Sequence, residues 1–529
     1  MKNNLLRIFV FVVVLTGIFT SCNKDLDRTP TNETTADAAY SSAEGYKQAL
    51  AKVYGSYALT GSSGPNSTDL GGIDPGTSDF LRLYWVAQEI TTDEAMIIWS
   101  DPGLPEFHNL NWSSSNVMLT GLYNRCLYQI TVCNEFIREA SDGKLSSRGI
   151  TGTAADSVRF YRAEARFLRA FQYWVVMDLF ANPPFVTETD PIGSYLPKQI
   201  SRANLFNYIE SELKAIEGGM IAPRQNEYGR VDQAAVWALL ARLYLNAEVY
   251  LGQGNGRFTD AITYASKVIN SGYTLSPNYR YLFLADNNTN NNEILLPINY
   301  DGVFTQNWGG TTFIINAAIN NELNPPAFGV PTGGWGGMRS TKNLPLLFGD
   351  YSGNTDKRAM FVGSTLEITD PSVYKQGLAV VKFKNITSTG ATPSSANGTF
   401  ASTDFPLFRL SEMYLVYAEA VLRGGAGGSM TTALQYINSL RTRAFGNTGG
   451  NLNTLTLNDI LDERGRELYW EAYRRTDLIR FGIFTSASYL WPWKGGVQGG
   501  RGVDPKYNIF PIPATDIIAN PNLAQNTGY

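Results

Sequence analysis

The sequence predicts a mainly α protein: a helical scaffold that carries an irregular, loop-rich lobe with a few short strands. Three observations predict it. Apolar residues recur at three- and four-residue spacing in long segments over 41–273. That periodicity fades over 274–405, where Asn, Gly, Thr and Pro rise, and it returns over 406–529. At 529 residues the chain is long enough for several domains or for one elongated body of stacked helices.

Ahead of the scaffold, residues 1–22 read as a targeting segment. Lys2 and Arg7 precede the apolar run "IFVFVVVLTGIF" (8–19), which is too short to span a bilayer comfortably and closes on "TSC" at Cys22. A cysteine placed this way is similar to a bacterial lipobox, with Phe19 where Leu is usual, so lipidation of the Cys22 thiol is expected. Residues 23–40, rich in Thr, Asn and Asp, form a tether. The acidic "NKDLD" that follows Cys22 is similar to the signal that sends lipoproteins of Bacteroidetes to the outer cell surface.

The first periodic segments are "AEGYKQALAKVYGSYAL" (43–59), "GLYNRCLYQITVCNEFIREA" (121–140) and "SVRFYRAEARFLRAFQYWVVMDLF" (157–180). The third stops before "ANPPF", because Pro183 and Pro184 cannot continue a helix. Helices follow over 202–219, 231–252 and 258–273. The last two form a helix-turn-helix with Ala where helices approach closely, similar to a tetratricopeptide unit but of irregular period. In the lobe, "NEILLPINY" and "LAVVKFKNI" read as short strands, and so long an irregular stretch is usually functional. After helices over 410–425 and 432–445, one long helix is expected over 457–482. It would place Leu461, Leu468, Ala472 and Ile479 on one face and pair Glu471 with Arg475. Its charged face is expected in solvent with structural ion pairs.

Composition excludes some partners. Net charge is −4, and the 43 Lys and Arg are scattered without a run, which argues against nucleic acid. Charged residues make up 17% and aromatics 12%, a balance suited to neutral polar ligands as well as to a large core. Cys126 and Cys133 stand seven apart on one helix, about 10 Å along its axis, so they read as core thiols beyond disulfide reach. His108 is the only histidine, and no zinc site is expected around it.

Catalytic signatures are missing: no G-x-S-x-G, no P-loop, no H-E-x-x-H. A glycoside hydrolase needs only two carboxylates, which spacing cannot exclude, yet no pair stands out. The segment "DNNTNNNE" (286–293) lacks the alternating acids and glycine of a calcium loop and reads as a polar turn. No cofactor is expected, with calcium the one ion left open. What remains is a set of aromatic loops. "NWGG" (307–310) and "GWGG" (334–337) frame Trp308 and Trp335 with residues too small to cover them. Earlier, "SDFLRLYW" (78–85) offers Arg82 and "IIWSDPGLP" (97–105) offers Trp99 and Asp101. A sugar ring stacks its C–H face on an aromatic plane while its hydroxyls seek Arg, Asp and Asn.

At this point the residues carry a resemblance over nearly the full chain. Besides the lipobox at Cys22, the segments are "YRAEARFLRAFQYWVVMDLF", "GRVDQAAVWALLARLYLNAEVY", "FPLFRLSEMYLVYAEAVLRGG", "ELYWEAYRRTDLIRFG" and "NIFPIPATDIIANPNLAQNTGY". The chain resembles the SusD/RagB family of surface glycan-binding lipoproteins, and "YLWPWKGG" and "YLNAEVYLGQ" resemble its starch-binding members. The resemblance implies four tetratricopeptide-like units with the glycan site on the irregular lobe. It also implies a non-catalytic role in polysaccharide uptake, as a lid on a SusC-type TonB-dependent transporter at the outer membrane. It places Trp308 and Trp335 on two members of an aromatic arc that follows an α-glucan helix, and Arg82 on a polar contact. Ile97 falls where the family has an aromatic residue, leaving Trp99 nearby, and the next polar contact falls near Asp101 or Pro102. Capture of a β-glucan or fructan, and a surface glycoside hydrolase, are the alternatives.

Overall fold

The computed structural model describes residues 36–289, 292–393 and 398–529. Cys22 and the expected tether up to residue 35 lie outside the described residues. The scaffold helices are α1 (Ala43–Ala58), α2 (Val117–Glu139), α3 (Gly152–Phe180), α4 (Arg202–Glu217) and α5 (Gln233–Leu245). They continue with α6 (Phe258–Ile269), α7 (Leu410–Leu422), α8 (Met430–Phe445), α9 (Leu457–Leu468) and α10 (Arg474–Arg480). Side chains satisfy the open N–H groups at many of their starts. Ser42, Asn116, Ser201, Asp232 and Ser429 each cap a helix, and Thr456 with Asp459 forms a reciprocal capping box on α9.

Neighbours in sequence pack on one another: α2 on α3, α3 on α4, α5 on α6, and α7 on α8. Ala234, Ala235, Ala238 and Ala241 on α5 and Ala261 and Ala265 on α6 are fully buried, so these two helices meet closely. The stack also runs on from α6 to α7, with the lobe inserted between them. Three two-stranded antiparallel sheets lie among the described residues. Their strands are β1 (Met96–Ile97), β2 (Ile294–Ile298), β3 (Met338–Arg339), β4 (Phe361–Val362), β5 (Ala379–Val380) and β6 (Phe405–Arg409), paired β1–β3, β2–β6 and β4–β5. Cys126 and Cys133 are free thiols in the core.

The structure corrects three sequence expectations. The helix read over 231–252 is interrupted at Asn246, which ends α5 before a short helix at Ala247–Leu251. The helix read over 457–482 is two helices. It breaks after Leu468, and Trp470 (φ 62°) and Ala472 (φ 65°) take left-handed backbone before α10 begins. Tertiary bonds replace the helical ones there: Trp470 N donates to Glu94 Oε2 (3.1 Å), Ala472 N to Glu89 Oε1 (2.6 Å), and Trp85 Nε1 to Trp470 O (3.0 Å). The break turns Glu471 away from Arg475 and onto Lys382 (2.6 Å) and Arg409 (2.7 Å). The charged face is therefore buried, not solvated. Arg409 also meets Glu467 (2.6 Å), and Arg358 meets Glu463 (2.7 Å) and Glu467 (2.9 Å). Buried charges persist only when paired in this way, and these pairs tie Arg358 and Lys382 of the lobe to the end of the chain. The third correction is a helix within the lobe, Gly310–Ala318, all of whose residues are buried. It has no solvent-exposed face, so no stripe of charged or strongly polar residues marks it in the sequence.

Candidate functional site

The short helix Phe80–Trp85 anchors the site. Asp79 caps it, and Asp79 Oδ1 accepts both Arg82 N (2.7 Å) and Gly310 N (2.8 Å), joining the first site loop to the helix that follows "NWGG". Burial raises the Asp79 carboxyl above its ordinary value, against these two N–H groups. A Cβ on Gly309 would overlap Asp79, so glycine is required for this approach. The second glycine-framed loop is pinned by its backbone to the far end of the same helix. Trp335 N donates to Asn316 O, Gly336 N to Ile319 O and Gly337 N to Ala317 O, each at 2.8 Å. Gly337 lies against the Trp99 indole, where a Cβ would overlap the ring, and Trp99 Nε1 donates to Gly336 O (3.2 Å).

These constraints line up three indoles. Trp335 stands between Trp99 (centroids 6.3 Å, planes 41° apart) and Trp308 (6.2 Å, 49°). All three are half-buried. The expectation of uncovered rings framed by glycine is corrected here: the rings cover one another, and the glycines serve close backbone approach. Trp308 leans on Phe400 (4.8 Å) and donates from Nε1 to Asn66 Oδ1 (2.9 Å). Neither Phe400 nor Asn66 stood out in the sequence; Asn66 lies in a Gly/Ser/Pro turn with no motif. Arg82 lies beside the arc, next to Trp99. Its guanidinium carbon is 4.5 Å from the centroid of Phe313 and 6.0 Å from that of Trp99, and Nη1 donates to Gly76 O (2.8 Å). Burial lowers Arg82 to about 10, opposed by Asp101, Asp79 and Asp74, so it stays charged at neutral pH. With five N–H donors and one such bond, it keeps donors for a ligand.

Of the sequence candidates, Arg82, Trp99, Trp308 and Trp335 come together. Asp101 is exposed and acts on Arg82 through its charge. Ile97 is 1% exposed in β1, opposite Met338, and does not reach the platform. Among the described residues no group of acids, cysteines and histidine is placed to hold a metal, and no helix is long and apolar enough to cross a membrane.

A helical scaffold with an inserted loop-rich lobe has relatives. The SusD family model matches residues 372–529. The starch-binding protein SusD of Bacteroides thetaiotaomicron is 37% identical, over 98% of this chain and 97% of its own. The chain belongs to the SusD family. SusD-like protein P2 of Formosa agariphila is 24% identical over 80% of this chain and 83% of its own. Among solved structures, a SusD homolog from B. thetaiotaomicron superposes with a TM-score of 0.72 at 19% identity, covering 94% of this chain and 99% of that one. Surface glycan-binding protein A from B. thetaiotaomicron, in complex with laminarihexaose, gives 0.67 at 21% identity, covering 91% and 99%. At these identities the solved structures speak for the fold.

Proposed function

We infer that this chain is a non-catalytic, cell-surface binding protein for α-glucan, starch or malto-oligosaccharide, that delivers its ligand to a SusC-type TonB-dependent transporter. Lipid on Cys22 holds it at the outer membrane. The observation that carries the ligand class is the indole arc. Three partly exposed rings follow one another at 6.2–6.3 Å, and each plane is turned by 41–49° from the last. A platform that turns from ring to ring suits a chain that itself curves, as α-linked glucan does, better than a flat ribbon. Arg82 beside the rings supplies donors for sugar hydroxyls, and the relative named for starch binding points the same way. The carboxylate beneath the arc, Asp79, is fully buried with Oδ1 held by two backbone N–H groups, which supports holding a glycan over cutting it.

The second reading is the same role for a β-glucan or fructan. Ile97 inside β1 favours it, because the arc lacks an aromatic ring at that family position. Native affinity gels containing starch, laminarin, levan or xylan separate the two. Retardation in starch is expected, and retardation only in laminarin or levan would move the ligand class. Maltoheptaose left overnight with the protein is expected to stay intact; reducing ends released in proportion to protein would overturn the non-catalytic role.

A further inference from the structure

Trp99 borders a second hollow besides the arc. A cleft of about 380 Å³ is walled by Trp99, by His108 and Asn109 at the end of the short helix Pro105–Asn109, and by Ser372 and Trp493. That volume falls within the range of pockets that hold small organic ligands. One indole, Trp99, therefore borders both the arc and the cleft, which places the cleft next to the arc at its Trp99 end.

Two independent features mark the cleft as built. The first is backbone strain on both walls. Trp493 has left-handed backbone (φ 69°, ψ 6°), and so does Leu110 (φ 48°, ψ 52°), which ends the helix bearing His108 and Asn109. A bulky residue in this region is costly and persists where its surroundings over-determine it, as happens at structural breaks and at ligand sites. Trp493 Nε1 donates to Ile368 O (2.9 Å), which fixes its half-buried ring at the cleft. The second feature is His108, the only histidine of the chain. It is 8% exposed and makes no hydrogen bond among the described residues, and its Nδ1 is sealed without a partner. Buried polar side chains nearly always have partners. With Nδ1 sealed, Nε2 is the nitrogen left for the cleft. Burial, with Arg339, lowers the ring's pKa to about 4, so it is neutral at neutral pH.

We propose that this cleft is a further sugar subsite, which takes the next residue of a glucan lying on the arc, stacked on Trp493 with His108 Nε2 and the Asn109 amide serving its hydroxyls. The proposal rests on the glucan reading above. An indole face meets the C–H face of the sugar, and a neutral imidazole and a carboxamide offer both donor and acceptor to its rim.

The full chain is titrated calorimetrically with maltotriose, too short to cover arc and cleft together, and with maltoheptaose. Trp493→Ala is expected to weaken maltoheptaose about five- to a hundred-fold and to leave maltotriose unchanged. Equal loss for both sugars, or for neither, overturns the subsite. The wild-type chain supplies a second readout that needs no variant. Labelled at histidine with carbon-13, it gives one imidazole signal, expected to shift as maltoheptaose saturates. A still signal at saturation removes the subsite while leaving the arc standing. No heat with either sugar removes the glucan reading and the subsite with it.

Discussion

Replacing Trp335 by alanine tests the arc at its centre. The ring contacts an indole on each side, at 6.2 and 6.3 Å, while its backbone is held by three hydrogen bonds that do not involve the ring. The loop should therefore stay in place when the ring goes. A stacking platform contributes about 1–3 kcal/mol per sugar, by analogy with bases stacked on aromatics. Affinity for maltoheptaose should fall roughly five- to over a hundred-fold. The two aromatic pairs contribute about 0.5–1.5 kcal/mol each beyond the area the half-buried ring covers, so the stability cost starts at about 1–3 kcal/mol and stays below that of a fully buried indole. Trp112 is the control. It is 2% exposed, packs on Phe510 at 4.7 Å and Tyr507 at 5.0 Å, and its loss should cost about 3–5 kcal/mol without touching the arc. Calorimetric titration and thermal melts of both variants are the assay. The arc predicts lost affinity with a small fall in Tm for Trp335→Ala, and retained affinity with a large fall for Trp112→Ala. Unchanged affinity in Trp335→Ala would refute the reasoning and make the rings a core feature.

Glu471→Gln leaves Lys382 and Arg409 buried with one counter-charge fewer, and should cost about 3–5 kcal/mol in urea unfolding; a shift under 1 kcal/mol would show the network to be dispensable. Acid should weaken the fold through Glu463. Burial alone would raise its carboxyl, but Arg358, Arg466 and Arg441 outweigh burial and hold it at about 2, against an ordinary value of 4.5. A folded-state value below the unfolded one stabilises above pH 4.5, and the gain, about 3 kcal/mol, is lost as pH falls towards 2. Equal urea midpoints at pH 6 and pH 3 would contradict this. Cys22→Ala should yield a folded chain absent from the outer-membrane fraction when the transporter is deleted, because lipid anchoring needs the thiol; persistence in that fraction would sink the lipoprotein assignment.

The sequence by itself determined the scaffold. Amphipathic helices bury a stripe whose period is written residue by residue, so α1 to α4 and α6 to α8 were legible, as was the stop at Pro183 and Pro184. It also singled out Trp308 and Trp335, because glycine-framed tryptophans are conspicuous in one dimension, and Arg82 and Trp99 through neighbouring segments and the family resemblance. It could not show how they combine. The 6 Å spacing of the indoles depends on Asp79 bonding Gly310 across 231 positions and on Gly337 lying against Trp99. The sequence misjudged α9 and α10, where local pattern favoured one solvated helix. Only the tertiary structure supplies Glu89, Glu94 and Trp85, whose bonds to 470–472 outweigh helical ones, and Lys382 and Arg409, which make a buried Glu471 affordable. Local periodicity reports which side of a helix is apolar. Which charges meet a partner in the interior is decided by residues hundreds of positions away.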